Sequence, residues 1–244
     1  MSYMTANRFL AAAVLLLTAV VPRLAPAQTA PLTAAQIVQH MDRQNQLRAA
    51  RLIHHSSIRH YHVEYGGLAH LAASMEVEAT YDIHSGKTFR ILSESGSHAL
   101  SEKVLKRAVD SEREASRDSK ATALIPANYA FTLLGEEPVE GRSAYILQVE
   151  PHAPSKFLYR GKIWVDAADF AVAKIEASPA KNPSFWITRT LIQQTFVHTG
   201  GFWLPARNRS ETHVRVGGKA VFTIDYGSYQ LQPQVALAAH ATAH

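Results

Sequence analysis

Four histidines stand close together, His54-His55 and His60-x-His62. On an extended strand His60 and His62 share a face, and two imidazoles at that spacing can meet one metal ion. A third ligand would have to come from Glu64 on the same face or from a neighbouring strand. No His-Glu-x-x-His pattern and no run of carboxylates accompanies the pair, so the reading is a solvated strand face and no metal site. Glu76 and Glu78 also share a face, as a carboxylate acid/base pair requires, but the polar side of a sheet places them there equally well. Ser95-Gly96-Ser97-His98 lacks the Gly-x-Ser-x-Gly frame of a nucleophilic serine. Gly66-Gly67 and Gly217-Gly218 suit hairpin turns rather than phosphate cradles. Cysteine is absent, which removes thiol nucleophiles, Cys-ligated zinc, iron–sulfur clusters and disulfides. No catalytic residue, metal or cofactor is assigned, and the expectation is that the protein is not an enzyme.

Function must then come from the elements that carry these residues. The chain has 244 residues, 47% of them hydrophobic and 18% charged, with 25 basic and 20 acidic side chains and a formal charge of +5. A charge so slight and so scattered gives no basic stripe for nucleic acid. Residues 1–27 read as a secretory signal: one cation in Met1 to Arg8, an apolar run from Phe9 to Val21, and the small-residue pattern Ala25-Pro26-Ala27. That run is shorter than the ~20 residues of a membrane-spanning helix. The expectation is a soluble periplasmic protein, and with no cysteine to acylate it is not itself a lipoprotein.

Thr33 with Gln36 three residues on forms a capping box. Ile37 and Met41 follow on one face, which predicts an amphipathic helix from about Thr33 to Ala50. A second helix is expected to start with Ser101 as N-cap, its stripe formed by Val104, Leu105, Ala108 and Val109. Nearly everything else has a period of two, punctuated by glycines every ~8–15 residues, which predicts a meander of about ten antiparallel strands. One run places Tyr61, Val63 and Tyr65 against His60, His62 and Glu64. Another places Met75, Val77 and Tyr81 against Glu76 and Glu78. Several strands are apolar on both faces: Trp164 opposes Ile163 and Val165, and Trp186, Ile192 and Phe196 oppose Ile187, Leu191 and Val197. A sheet needing that much cover with only two helices available is expected to curve upon itself, leaving a plugged or partly open interior. Residues 232–244 are Ala- and His-rich without period and read as a disordered tail.

The segment Tyr159-Arg160-Gly161-Lys162-Ile163-Trp164-Val165-Asp166, followed by Ala173-Lys174-Ile175, resembles the G-x-x-W-V-D … K-I hairpin of LolA-like proteins. These are outer-membrane lipoprotein-sorting carriers, with related lipoprotein receptors and sensor domains of envelope-stress regulators. Ser74 to Val77, Phe89 to Gly96 and Phe202-Trp203-Leu204-Pro205 are similar to other strands and turns of that group. The resemblance implies an α+β fold over residues 28–231: a half-barrel of antiparallel strands closed by N-terminal and mid-chain helices. It implies a carrier that shields lipoprotein or lipid acyl chains in a concave apolar cavity, passing them between membrane-bound donor and acceptor proteins and working as a monomer. The lining is expected from Tyr61, Val63, Tyr65, Met75, Val77, Tyr81, Phe89, Ile91, Tyr129, Phe131, Trp164, Trp186 and Phe196, and the lid from Ile37, Met41, Val104 and Leu105. Arg59 and Arg90 are the candidates for the cavity arginine that such carriers use to tune lid closure. Two other readings remain: an envelope sensor that uses the same half-barrel to bind a partner protein, and a hydrolase of envelope lipids or glycans.

Overall fold

Strand alternation dominates the chain, and the computed structural model turns it into one sheet. Residues 31–67, 70–182, 187–215 and 217–233 are described. The signal segment, Trp186 and the tail beyond Pro233 lie outside them. The chain divides into Met1–Pro31 and Leu32–His244, and the architecture below is that of the second unit.

Helix α1 (Ala34–Arg51) begins where the sequence places it. The Thr33 side chain accepts from the Gln36 backbone N–H, and the Gln36 side chain accepts from the Thr33 backbone N–H, so two orphan donors of the first turn are satisfied reciprocally. Three strands follow: β1 (Leu52–Gly66), β2 (His70–Asp82) and β3 (Gly86–Gly96). The mid-chain helical region starts earlier than expected, with Ser97 at the N-cap of α2 (His98–Leu100). A π-helical turn (Ser101–Leu105) leads into α3 (Lys106–Arg117) and α4 (Ser119–Thr122). Ser101 is not a cap. It is buried inside the π turn and donates to Glu94 at the end of β3, seven residues back.

The remaining strands are β4 (Tyr129–Val139), β5 (Arg142–Pro151), β6 (Tyr159–Asp166), β7 (Val172–Pro179), β8 (Ile187–Thr199), β9 (Phe202–Val214), β10 (Lys219–Tyr226) and β11 (Gln230–Pro233). All pairings are antiparallel, in the order β3-β2-β1-β10-β9-β8-β7-β6-β5-β4, with β11 added beside β1. Gln232 and Pro233, expected in the disordered tail, belong to β11 and pair with His54 and Leu52. The sheet is curved and unclosed, an α+β half-barrel.

Two helical elements cover two separate parts of one sheet face. Ile37, Val38 and Met41 of α1 pack on Tyr129, Leu147, Val149, Ile163, Val165 and Ile175, which come from β4 to β7. Leu105 and Val109 pack on Tyr61, Val63, Met75, Val77 and Ile224, which come from β1, β2 and β10. Between these apolar areas, β8 and β9 present polar side chains to the same face: Thr190 shares a hydroxyl contact with Thr212 (3.1 Å) and Asn208 Nδ2 donates to Gln194 (3.5 Å). Each helix therefore seals its own apolar half, and the strip between them is polar apart from Ile192.

The G-x-x-W-V-D segment is explained by packing. Gly161 has φ +150°, and a Cβ there would meet the Glu176 carbonyl and Ala177 Cα of the neighbouring strand, so only glycine allows β6 and β7 to approach. Trp164 Nε1 donates to Glu137 at 2.5 Å, with Lys174 4.3 Å above its ring. Asp166, 1% exposed, accepts from the backbone N–H groups of Ala168 (3.0 Å) and Asp169 (2.8 Å) and from Arg142 Nε (2.5 Å) and Nη2 (2.9 Å). The motif ties a hairpin and its turn.

Candidate functional site

Strand β1 sorts the histidine cluster between two faces. His54, His60 and His62 project to the convex side, where His60 Nδ1 lies 3.2 Å from Glu76, His62 Nδ1 lies 2.8 Å from Ser74 Oγ, and His54 Nδ1 lies 3.8 Å from Asp82. Glu78 is paired there with Arg90 at 2.8 Å. Among the described residues no group of three or more His, Asp or Glu is placed to hold a metal ion.

His55 has the opposite parity and opens a row on the concave side: His55, Ser57, Arg59 and Tyr61, matched in register across β2 by Tyr81, Ala79, Val77 and Met75. Arg59 is 3% exposed and lies between the rings of Tyr226 (4.9 Å) and Phe89 (5.6 Å). Its Nη1 donates to Glu112 Oε2 of α3 at 2.7 Å, and Lys87 Nζ of β3 donates to the other oxygen at 3.0 Å. A half-buried carboxylate thus bridges two cations, one on a central strand and one on the edge strand. Burial opposes the charge on Glu112, but Lys87 and Arg59 together hold its carboxyl below the usual range. Burial likewise opposes the Arg59 cation, and Glu112, Tyr226 and Tyr61 together more than offset it.

The row is under-satisfied. His55 Nδ1, Ser57 Oγ, Arg59 Nε and the Tyr61 hydroxyl are buried without a hydrogen-bond partner. Ser57 lies towards the Tyr229 hydroxyl and Tyr61 towards the Arg59 guanidinium, and neither contact has hydrogen-bonding geometry. His55 stacks on Tyr81 (5.2 Å) and meets Tyr229 edge-on (5.8 Å). Burial first, and then the positive charges of Lys87 and Arg59, push its pKa down to about 4.

Two clefts open on either side of the C-terminal half of α1. One, about 260 Å³, is lined by Ala49, Leu52, Phe202 and Leu204 and by His55, Tyr81 and Lys87. The other, about 300 Å³, lies over Tyr159, Ile175, Gln194 and Phe196. Arg48 and Asn45 form the wall between them. Arg48 is fixed by the carbonyls of Asp169 (2.8 Å) and Phe170 (3.2 Å), which pins α1 to the β6–β7 turn.

The expected lining residues fall into several places. Tyr61, Val63, Met75, Val77 and Phe89 gather beneath the mid-chain helix, and Tyr129, Phe131 and Phe196 gather in the core under α1. Ile91 belongs to the face beneath the mid-chain helix but is 42% exposed on an edge strand. Tyr81 lines the smaller cleft, and Tyr65 lies at the strand end with its hydroxyl donating to the Gly217 carbonyl at 2.9 Å. Trp164 is on the other face, because its strand alternates against Ile163 and Val165. Of the two arginine candidates, Arg59 faces the concave side and Arg90 the convex. Ile37 and Met41 pack over one apolar half, Val104 and Leu105 over the other. Glu112, Lys87, His55 and Ser57 were not singled out as concave residues. A signal for Glu112 exists, since it follows Leu105 and Val109 at helical spacing.

The curved, unclosed antiparallel sheet is the half-barrel that the resemblance of the hairpin motif implies. No family model matches the chain, and no curated protein matches it. Structural similarity extends to a DUF1329 family protein from Desulfovibrio piger (13% identity, 84% of this chain and 95% of that one, TM-score 0.42). It extends also to a putative outer membrane lipoprotein-sorting protein domain from Vibrio parahaemolyticus (12%, 81% and 93%, 0.40) and to a LolA superfamily protein from Nitrosomonas europaea (14%, 83% and 94%, 0.38). At such identities the likeness is one of chain course, and the site is read from this chain's own side chains.

Proposed function

We propose that this protein is an exported carrier that holds acyl chains of lipids or lipoproteins against the concave sheet after α3 and the preceding π turn move aside. The observation that supports it most is the contrast between the two covers. Helix α1 is held by its capping box, by the Arg48 bonds to two carbonyls and by three buried apolar side chains. The mid-chain cover has two fully enclosed apolar side chains, Leu105 and Val109, with Leu100, Val104 and Ala108 at their margin, and is otherwise tied by polar contacts: Ser101 and Lys106 to Glu94, Glu114 to Lys156, and the Glu112 bridge.

The magnitudes favour exchange. Re-exposing Leu105 and Val109 costs roughly 1.5–3 kcal/mol each, about 3–6 in all. An acyl chain that buries about ten methylenes in their place recovers roughly 8 kcal/mol at ~0.8 each. Hydrophobic replacement therefore carries the balance towards cargo, and the half-buried ion bridge, whose loss leaves the enclosed Arg59 charge unpaired, helps to set how firmly the empty form stays closed. Of the histidines and carboxylates that could suggest hydrolysis, His60, His62 and Glu76 line a separate depression of about 190 Å³ with Ser74, Ser93 and Ser95, where His60 pairs with Glu76 and His62 with Ser74, and Glu78 is paired with Arg90.

The test is native mass spectrometry of the chain from Gln28 onward, purified without detergent, with solvent extraction of anything bound and titration with an apolar fluorescent dye. Co-purified acyl lipid, or dye uptake displaced by fatty acid, is the expected result. A mass free of ligand together with no dye uptake refutes the carrier.

A further inference from the structure

Charge beneath the mid-chain helix does not balance. Arg59 and Lys87 bring two cations to one partly buried spot, and Glu112 brings one anion, divided between them oxygen by oxygen. Donors are also in excess. Arg59 Nε has no acceptor, and the Tyr61 hydroxyl beside it has no partner, although Arg59 and Tyr61 are 3% and 1% exposed. Ser57, 4% exposed, and His55 continue the unpartnered row along the same strand face. Buried polar atoms left unpaired each cost free energy of the order of a lost hydrogen bond, and here four occur on alternate residues of one strand. A carboxylate has two oxygens and one charge, whereas a phosphate group has more oxygens and up to two charges. The site is therefore better matched to a phosphate than to the side chain that fills it.

The adjoining cleft supplies the rest of an amphiphile. Its lining combines Lys87 and His55 with Leu52, Phe202 and Leu204, with Arg48 and Asn45 in the wall. A head group at Lys87 and Arg59 can keep a chain attached to it in apolar surroundings.

We propose that Arg59 and Lys87 form a subsite for the phosphate head group of an anionic amphiphile, and that Glu112 is an internal occupant displaced when that group enters. This deepens the carrier reading and rests on it for the amphiphile, while the phosphate subsite itself stands on the side chains of β1 and β3. Displacement of Glu112 removes the bridge that fastens α3, so recognition of the head group and opening of the cover become one event.

The experiment is calorimetric titration of the full mature chain, at fixed ionic strength, with dihexanoylphosphatidic acid and separately with inorganic phosphate, alongside uptake of the uncharged apolar dye. Three proteins are compared, wild type, Glu112→Gln and Lys87→Gln, each checked by circular dichroism. The lipid is expected to bind about tenfold or more tightly to Glu112→Gln and about tenfold more weakly to Lys87→Gln, with inorganic phosphate competing weakly. Lipid affinity unchanged in both variants, with the dye still bound, overturns the phosphate subsite and leaves the carrier standing. Lipid binding that responds to both variants without any dye uptake upholds the subsite and refutes the apolar carrier. Inorganic phosphate binding as tightly as the lipid upholds the anion site and overturns its assignment to a head group. If one variant fails to fold, the other decides alone, because the two shifts have opposite signs.

Discussion

Leu105→Ala should loosen the mid-chain cover while the rest of the protein stays folded. Leu105 is 0% exposed and packs with Val109 on Tyr61, Val63, Met75 and Val77. Truncating a leucine so enclosed costs about 2–5 kcal/mol, the transfer term plus the cavity left behind. Leu105 and Val109 together contribute about 3–6 kcal/mol to the apolar hold of this cover, so the substitution removes a large fraction of their share. If about 3 kcal/mol is lost from the closed form alone, the open population rises roughly 100-fold, at 1.4 kcal/mol per factor of ten. Helix α1 packs on a separate apolar half and shares none of these contacts. Native-state hydrogen exchange with mass spectrometry separates the two: peptides spanning 106–117 should lose about two orders of magnitude of protection, and those spanning 34–51 and 159–177 should lose none. Equal loss in all three would show that Leu105 belongs to one cooperative core and that the cover does not open by itself. Unchanged protection in 106–117 would show that Leu105 does not hold the helix.

Asp166→Ala should act in the opposite way, on the whole fold. It removes an enclosed carboxylate that accepts from Arg142 and from two backbone N–H groups, at a cost of about 3 kcal/mol. A thermal melt should fall by roughly 6–12 °C for a unit of this size, and a drop under 2 °C would contradict the assigned role of the motif. Acid should weaken the cover through Glu112. Its folded pKa lies below the unfolded value of 4.5, so its stabilisation is complete above that value and is lost as pH falls through the lower, folded one. Urea melts from pH 6 down to pH 3 should show a steeper loss in wild type than in Glu112→Gln, and parallel curves would remove Glu112 from the account.

The sequence determined the elements. A Thr33/Gln36 capping box sufficed to place α1, and two-residue alternation sufficed for the strands, because both signals act within a few residues of themselves. Gly161, Trp164 and Asp166 were legible as a motif, since the hairpin they tie is local. Parity even placed Arg59 with Tyr61 and Val63. What no local pattern contained was the joining of distant strands. The pairing of β1 with β10 brings Tyr226 beside Arg59, and the docking of α3 brings Glu112 onto Arg59 and Lys87, 53 and 25 residues away. The same assembly put Trp164 outside, made Ser101 a buried donor instead of a cap, and set a polar strip on β8 and β9 between two apolar halves. Periodicity reports which residues share a face of one strand. Which faces meet, and which charges are then buried together, is decided by the register and curvature of the whole sheet.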